Sequence, residues 1–239
     1  MESIKNIINE IKNVIYPHKC ILCREILNNK ADKCVCDRCS KHIIYEEFGK
    51  TIAPSAADKY IKQSKSSGEA SIEKVLAVFK YQGIVRDSIR RWKYRGVRKY
   101  ARGYADLIVN ELALPVIFDI DGLVPVPISH RRGRKRGFNQ AYDLSTEITK
   151  LTGIKTYDCL KRIKETKAQS KCNSEERKVN ILNSIEKNEK VELPTLRNVA
   201  IIDDIYTTGS TVRECIRALT KEYSMRDTKF YIMVVGMGE

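Results

Sequence analysis

Val199-Ala-Ile-Ile-Asp203-Asp204-Ile-Tyr-Thr207-Thr208-Gly209-Ser210-Thr211 is the stretch whose reading decides the fold of this chain. Its first four residues are apolar and mostly β-branched, the pattern of a short strand buried on both faces. Two adjacent carboxylates close that strand, and a turn of small hydroxylated residues follows. Beyond the turn, Val212, Cys215, Ile216 and Leu219 recur at the spacing of a helix stripe. Strand, acidic edge, small-residue turn and helix therefore follow one another in order.

That order has chemical consequences. The first N–H groups of a helix have no intrahelical partner and carry positive partial charge, which suits an anion. Gly209 permits close backbone approach, and the hydroxyls of Thr207, Thr208, Ser210 and Thr211 can donate to phosphate oxygens. Asp203 and Asp204 can accept both hydroxyls of a vicinal diol, or water held on a metal. A phosphate loop beside diol acceptors describes a ribose 5-phosphate site. It is not a Walker A loop, because Ser210 rather than lysine follows Gly209.

The block resembles the binding signature of the type I phosphoribosyltransferases. The resemblance implies that Asp203 and Asp204 hold the ribose hydroxyls of phosphoribosyl pyrophosphate (PRPP). It also implies that Thr207, Thr208, Gly209, Ser210 and Thr211 hold the 5-phosphate. The fold to expect is α/β, with a mostly parallel sheet flanked by helices and ligand at the carboxyl ends of its strands.

Working outward, the chain has 239 residues and a net charge of +14, enough for one good-sized domain and a small appendage. The positive charge points to anionic partners, phosphate esters or nucleic acid. Apolar runs are too short to span a bilayer, which needs about 20 residues. No signal peptide is visible, so a reducing cytoplasm is the expected location, and clustered cysteines there bind metal more often than they pair.

Residues 1–15 carry isoleucine and valine at helical spacing and read as an amphipathic helix packed on the body. Cys20-Ile-Leu-Cys23 and Cys36-Asp-Arg-Cys39 follow, two knuckles with the spacing of a tetrahedral zinc site. Cys20, Cys23, Cys36 and Cys39 are the expected ligands, and Cys34, His18 and His42 are competitors for a place. The site is structural in this reading, and stripping the metal is expected to unfold this segment alone. The first domain is set at residues 1–50, the second at 70–239, with an aperiodic linker at 51–69.

Val75 to Tyr81 reads as a strand, and Val85, Ile89 and Trp92 mark a helix. Between Ile84 and Arg102 there are eight basic residues and one acidic, interleaved with Trp92, Tyr94 and Tyr100. Stacking on single-stranded nucleic acid is one reading of that mixture. A core tryptophan beneath a solvated charged face is the other, and it is slightly preferred. Residues 100–113 read as a further helix.

Leu123-Val-Pro125-Val126-Pro127 reads as a strand at a sheet edge or near its end, because proline cannot donate to a ladder. A basic loop, His130-Arg131-Arg132-Gly-Arg134-Lys135-Arg136, leads from it into a helix with Ala141, Leu144, Ile148 and Leu151 as its stripe and Gly153 as its stop. The loop suits pyrophosphate or a nucleic-acid backbone, or is merely a solvated charge run. Residues 157–163 read as a strand, Asn173 with Glu176 as a capping box opening a helix at 174–186, and Phe230 to Val235 as the last strand.

Val-Pro-Val-Pro, the arginine-rich loop, Arg136-Gly-Phe-Asn-Gln140 and the cysteine ribbon together resemble the ComF family of competence-associated, phosphoribosyltransferase-like proteins. That resemblance implies a mobile loop near Arg162 and Lys164 that closes over PRPP. It makes Arg131, Arg132, Arg136, Arg162 and Lys164 the contacts for departing pyrophosphate. Mg²⁺ is the implied companion of PRPP, and Zn²⁺ that of the ribbon. The implied partners are single-stranded DNA and the competence machinery. No general base stands out, so two functions follow: a PRPP-dependent transferase, or a DNA-binding competence component with PRPP as effector.

Overall fold

The computed structural model describes residues 17–27, 33–43, 72–95, 99–113, 117, 119–164, 183–222, 225 and 227–238. The expected helix at 1–15 and the expected linker at 51–69 lie outside these residues.

A four-stranded, all-parallel sheet forms the centre, in the order β1, β6, β5, β2. These strands are β1 (Ile72–Lys80), β2 (Gly122–Pro125), β5 (Asn198–Tyr206) and β6 (Lys229–Met237). Val75 and Ile201 both lie opposite Ile232, and Val124 lies opposite Ile201. Alternation along β5 and β6 feeds both faces. Val199, Ile201, Phe230, Ile232 and Val234 join one core, and Ala200, Ile202, Tyr231, Met233 and Val235 the other. Burial on both faces explains why these strands read as near-continuous apolar runs.

Helix α6 (Ser210–Glu222) covers the first face with Val212, Cys215, Ile216 and Leu219. The second face carries α2 (Gly83–Arg95), α3 (Lys99–Leu107) and α5 (Gln140–Thr152), through Val85, Ile89, Trp92, Tyr100, Tyr104, Leu144 and Ile148. Trp92 is fully buried beside Tyr104, their ring centroids 5.2 Å apart, which bears out its place in the core, although Lys93 and Arg91 of the charged face are engaged within the protein. The helix expected at 100–113 begins at Lys99 and widens to π-helical geometry over Ile108–Ala113.

Four boundaries differ from expectation. β5 does not end before the acids: it continues in register to Tyr206, because β6 pairs with it as far as Met237. The basic loop is a short helix, α4 (His130–Arg136), closed by Gly137 at φ 76°. The tail of the helix expected at 174–186 is instead β4 (Ile185–Lys187), antiparallel to β3 (Leu160–Arg162). Tertiary contacts override the local pattern here: Ile185 is buried and its carbonyl accepts from Arg217 at 2.9 Å. The rest of that expected helix lies outside the described residues. Leu151, assigned to the buried stripe of α5, is exposed.

β2 lies at the sheet edge, as its prolines require. Residues 155–157 cover that edge through bonds from Leu123 N–H to the Lys155 carbonyl and from Tyr157 N–H to the Leu123 carbonyl. Among the described residues, no helix is long and apolar enough to cross a membrane.

Candidate functional site

The carboxyl ends of β5 and β2 open into a cleft of about 410 Å³. Two helix N-termini border it. α6 starts at Ser210 directly after the Thr207–Gly209 turn, and α5 starts at Gln140 behind its cap Asn139. Asn139 accepts from Ala141 N–H at 3.1 Å and donates to the Val126 carbonyl at 3.0 Å, which ties the helix start to the end of β2. Both termini direct unpaired backbone donors and positive dipole ends toward the same space.

Asp203, Asp204, Thr207, Thr208, Gly209, Ser210 and Thr211 all line this cleft, and so do Arg132, Arg136 and Arg162. A parallel bridge between Ser129 and Arg162 sets β3 beside the start of α4, which delivers Arg162. Arg131 and Lys164 are exposed and are not among the lining residues.

The turn is fixed from beneath. Thr208 and Ser210 share a hydroxyl bond of 2.8 Å, and Arg213 donates to the Thr208 carbonyl at 3.1 Å and to Ser210 Oγ at 3.2 Å. Gly209 has φ 67°, and a Cβ there would strike the Tyr206 ring and hydroxyl. Only glycine fits that position.

The acids are not an equivalent pair. Lys93 Nζ lies 2.6 Å from Asp204 Oδ2, with both side chains largely buried. Asp204 N–H donates to Asp203 Oδ1 at 2.8 Å. Burial first, and the neighbouring Asp204 charge second, push the Asp203 carboxyl up to about 8. Burial thus favours the protonated form of Asp203, whereas Asp204 faces the Lys93 ammonium.

Sequence reasoning missed several lining groups, and four of them matter most. Arg90, Lys93 and Tyr94 come from the end of α2, where they occupy the polar face opposite Val85, Ile89 and Trp92. Their i, i+3, i+4 spacing was legible, but the cleft they face was not. Tyr94 is exposed, and the Arg136 guanidinium sits over its ring at 5.3 Å. Gln140 is the fourth. It is buried, accepts from Arg136 at 3.0 Å, and its Nε2 has no hydrogen-bond partner among the described residues. A buried, unsatisfied donor beside cationic groups suits an anionic ligand.

A second centre lies in the ribbon. The sulfurs of Cys20, Cys23, Cys36 and Cys39 all lie within 4.8 Å of one another, and Cys23 Sγ and Cys36 Sγ are 3.6 Å apart. Zn–S bonds of about 2.3 Å in a tetrahedron require S···S spacings of about 3.8 Å, so the four thiolates fit such a metal. Cys36 N–H points at Cys20 Sγ, 3.5 Å away. The competitors are placed elsewhere. Cys34 donates to the Gly103 carbonyl at 3.3 Å, and His18 and His42 are exposed outside the cluster.

The ribbon is also bound to the body. Ile21, Leu22 and Val35 share a core with Trp92 and Tyr104, Ser88 Oγ donates to the Ile21 carbonyl, and Arg91 donates to the Leu22 carbonyl.

No family model matches the chain. Several curated proteins are similar to it, three of which illustrate the range. Competence protein F of Haemophilus influenzae is 32% identical over 60% of this chain and 58% of its own length. Competence protein ComFC of Streptococcus pneumoniae is 25% identical over 90% of this chain and 99% of its own length. DNA utilization protein YhgH of Escherichia coli K12 is 33% identical over 42% of this chain and 44% of its own length. The match thus spans under two thirds of the first of these relatives and nearly all of the second. These homologues, competence proteins and a DNA utilization protein by name, support the resemblance to the ComF family.

Proposed function

We propose that the cleft binds PRPP, in a type I phosphoribosyltransferase-like fold, and that the protein acts in the uptake of DNA. One observation carries the first part. A diol-accepting acid pair, a hydroxyl-rich turn at a helix N-terminus and an arginine-bearing helix surround one cleft of about 410 Å³. In this reading the Thr207–Thr211 turn takes the 5-phosphate and Asp203 with Asp204 takes the ribose hydroxyls. Arg132, Arg136 and Arg162 face the pyrophosphate, with Gln140 Nε2 as a further donor. Mg²⁺ would add charge neutralisation on the pyrophosphate oxygens, since Lys93 already occupies one oxygen of Asp204. Zn²⁺ would sit in the cysteine ribbon as a structural ion.

As a transferase, the protein would stabilise the charge building on the leaving oxygens through those arginines, the largest contribution such a site can make. Nucleophile and acceptor are not defined by the lining, which contains no histidine among the described residues. A second reading stands beside it: PRPP as effector of a single-stranded DNA-binding competence component, without turnover. The names of the relatives, two competence proteins and a DNA utilization protein, support the setting.

Calorimetric titration with PRPP and Mg²⁺ tests the first part. The wild-type protein is expected to give a saturable heat, and Asp203→Asn with Asp204→Asn to abolish it while affinity for oligonucleotide stays within twofold. A wild-type protein that gives no heat refutes the reading. Pyrophosphate release against a panel of amines and bases then separates transferase from effector.

A further inference from the structure

A slot of about 220 Å³ lies apart from the cleft, where the cysteine ribbon meets the body. Cys20, Ile21 and Tyr100, all buried, form its floor, and Lys19, Arg24, Arg91 and Lys99 surround it. No acid lines it, and no carboxylate among the described residues pairs with Lys19, Arg24 or Lys99. Arg91 is held inside by the carbonyls of Ile21 and Leu22 and by the Tyr100 hydroxyl. Lys99 opens α3, whose first turn carries no acid, so the dipole of that helix adds to the positive potential.

Arg24 is the unusual member. Its backbone sits at φ 69°, in the left-handed region where glycine is the unstrained choice. The turn Cys20–Arg24, closed by Arg24 N–H to the Cys20 carbonyl at 2.9 Å, demands that conformation. A strained arginine at a position that glycine would fill, with its charge at a cationic slot, points to a use for the charge.

We propose that this slot binds a phosphodiester of single-stranded nucleic acid, with Lys19, Arg24 and Lys99 on the phosphates and a sugar or base edge on the apolar floor. The proposal rests on the DNA-uptake part of the function proposed above and names where the strand is held. A duplex keeps its bases stacked inside a rigid cylinder and cannot insert an edge into such a slot, whereas a single strand can. A free phosphate would engage the cations and leave the floor uncovered.

Fluorescence anisotropy with a labelled oligo-dT, on the full zinc-loaded chain, tests this. Three lost phosphate contacts at about 0.7 each lower the slope of log affinity against log salt by about 2, which is a loss on the order of 50-fold at about 0.15 M salt. The triple variant Lys19→Gln, Arg24→Gly, Lys99→Gln is expected to show both changes, with the heat of PRPP titration unaltered. Arg24→Gly alone is expected to weaken oligonucleotide binding while leaving the thermal midpoint equal or higher, since glycine relieves the backbone. Arg24→Lys is expected to restore much of the affinity.

Zinc content is measured on every variant, and Lys99→Glu, which lies on the body rather than the knuckle, gives an independent loss if a ribbon variant sheds metal. Equal affinity of wild type and triple variant would overturn the slot while leaving the DNA role standing. No binding by the wild type would overturn both, with the PRPP titration still reading the cleft separately. Displacement of oligonucleotide by millimolar inorganic phosphate with no loss in the triple variant would also overturn it.

Discussion

Lys93→Met is the most informative single perturbation of the cleft. Lys93 Nζ and Asp204 Oδ2 are 2.6 Å apart, with only 16% and 11% of their side chains exposed. At an effective dielectric of about 20, two charges at that distance attract by about 6 kcal/mol, against the desolvation of both. Removing one partner of a buried pair costs about 3–5 kcal/mol, because the other charge is left buried and alone. Both side chains line the cleft and keep slight exposure, so the lower end, about 3 kcal/mol, is expected. For a chain of this length that is a fall in thermal midpoint of about 6–12 °C.

Lys93→Met combined with Asp204→Asn removes both charges and should recover most of the loss, giving a coupling of about 2 kcal/mol or more in a double-mutant cycle. Urea unfolding followed by far-UV circular dichroism at pH 7 supplies the four free energies. Lys93 also lowers the Asp203 carboxyl, so its removal should steepen the loss of stability as pH rises. If Lys93→Met costs under about 0.5 kcal/mol, and the two substitutions simply add, the contact is a solvated surface pair and the asymmetry of the acids is wrong.

Two further outcomes follow from the same physics. Asp203 has a folded value of about 8 against 3.8 as the reference. A carboxyl raised on folding is no burden below the lower value, and stability is lost as pH climbs through the higher one. The ligand-free Asp203→Asn variant should therefore gain in thermal midpoint over wild type from pH 5 to pH 9, and a gap independent of pH would refute the buried, raised carboxyl. Chelation of the ribbon metal is expected to disturb the body as well as the ribbon. Ile21 and Leu22 share a core with Trp92, and Ser88 links the Ile21 carbonyl to the Tyr104 hydroxyl. Emission of Trp92, the chain's one tryptophan, should shift to the red while the sheet still melts cooperatively. An unchanged emission would restore the simpler expectation that the first fifty residues unfold alone.

Much was legible in the sequence because it is written in short-range periods. The apolar run at Val199–Ile202 announced a doubly buried strand, the paired cysteines announced a four-thiol cluster, and Gly153 marked a helix end at positive φ. Prolines placed β2 at an edge without any knowledge of its neighbours. The acids, the turn and three of the five expected cations line one cleft at the carboxyl ends of β5 and β2.

What the tertiary structure alone decided concerns groups brought together from distant positions. Lys93 meets Asp204 across more than a hundred residues of chain, and nothing in the local pattern of α2 distinguishes it from Arg91, which turns the other way to hold the ribbon. Ile185 becomes a strand residue because Arg217 of α6 takes its carbonyl, against a local pattern that favoured helix. Cys34 leaves the cysteine cluster for the Gly103 carbonyl because α3 packs there. Hydrophobic period and turn chemistry are properties of neighbours along the chain, so sequence determines them. Which charge faces which depends on how the layers stack, and that is settled only when both faces of the sheet are covered.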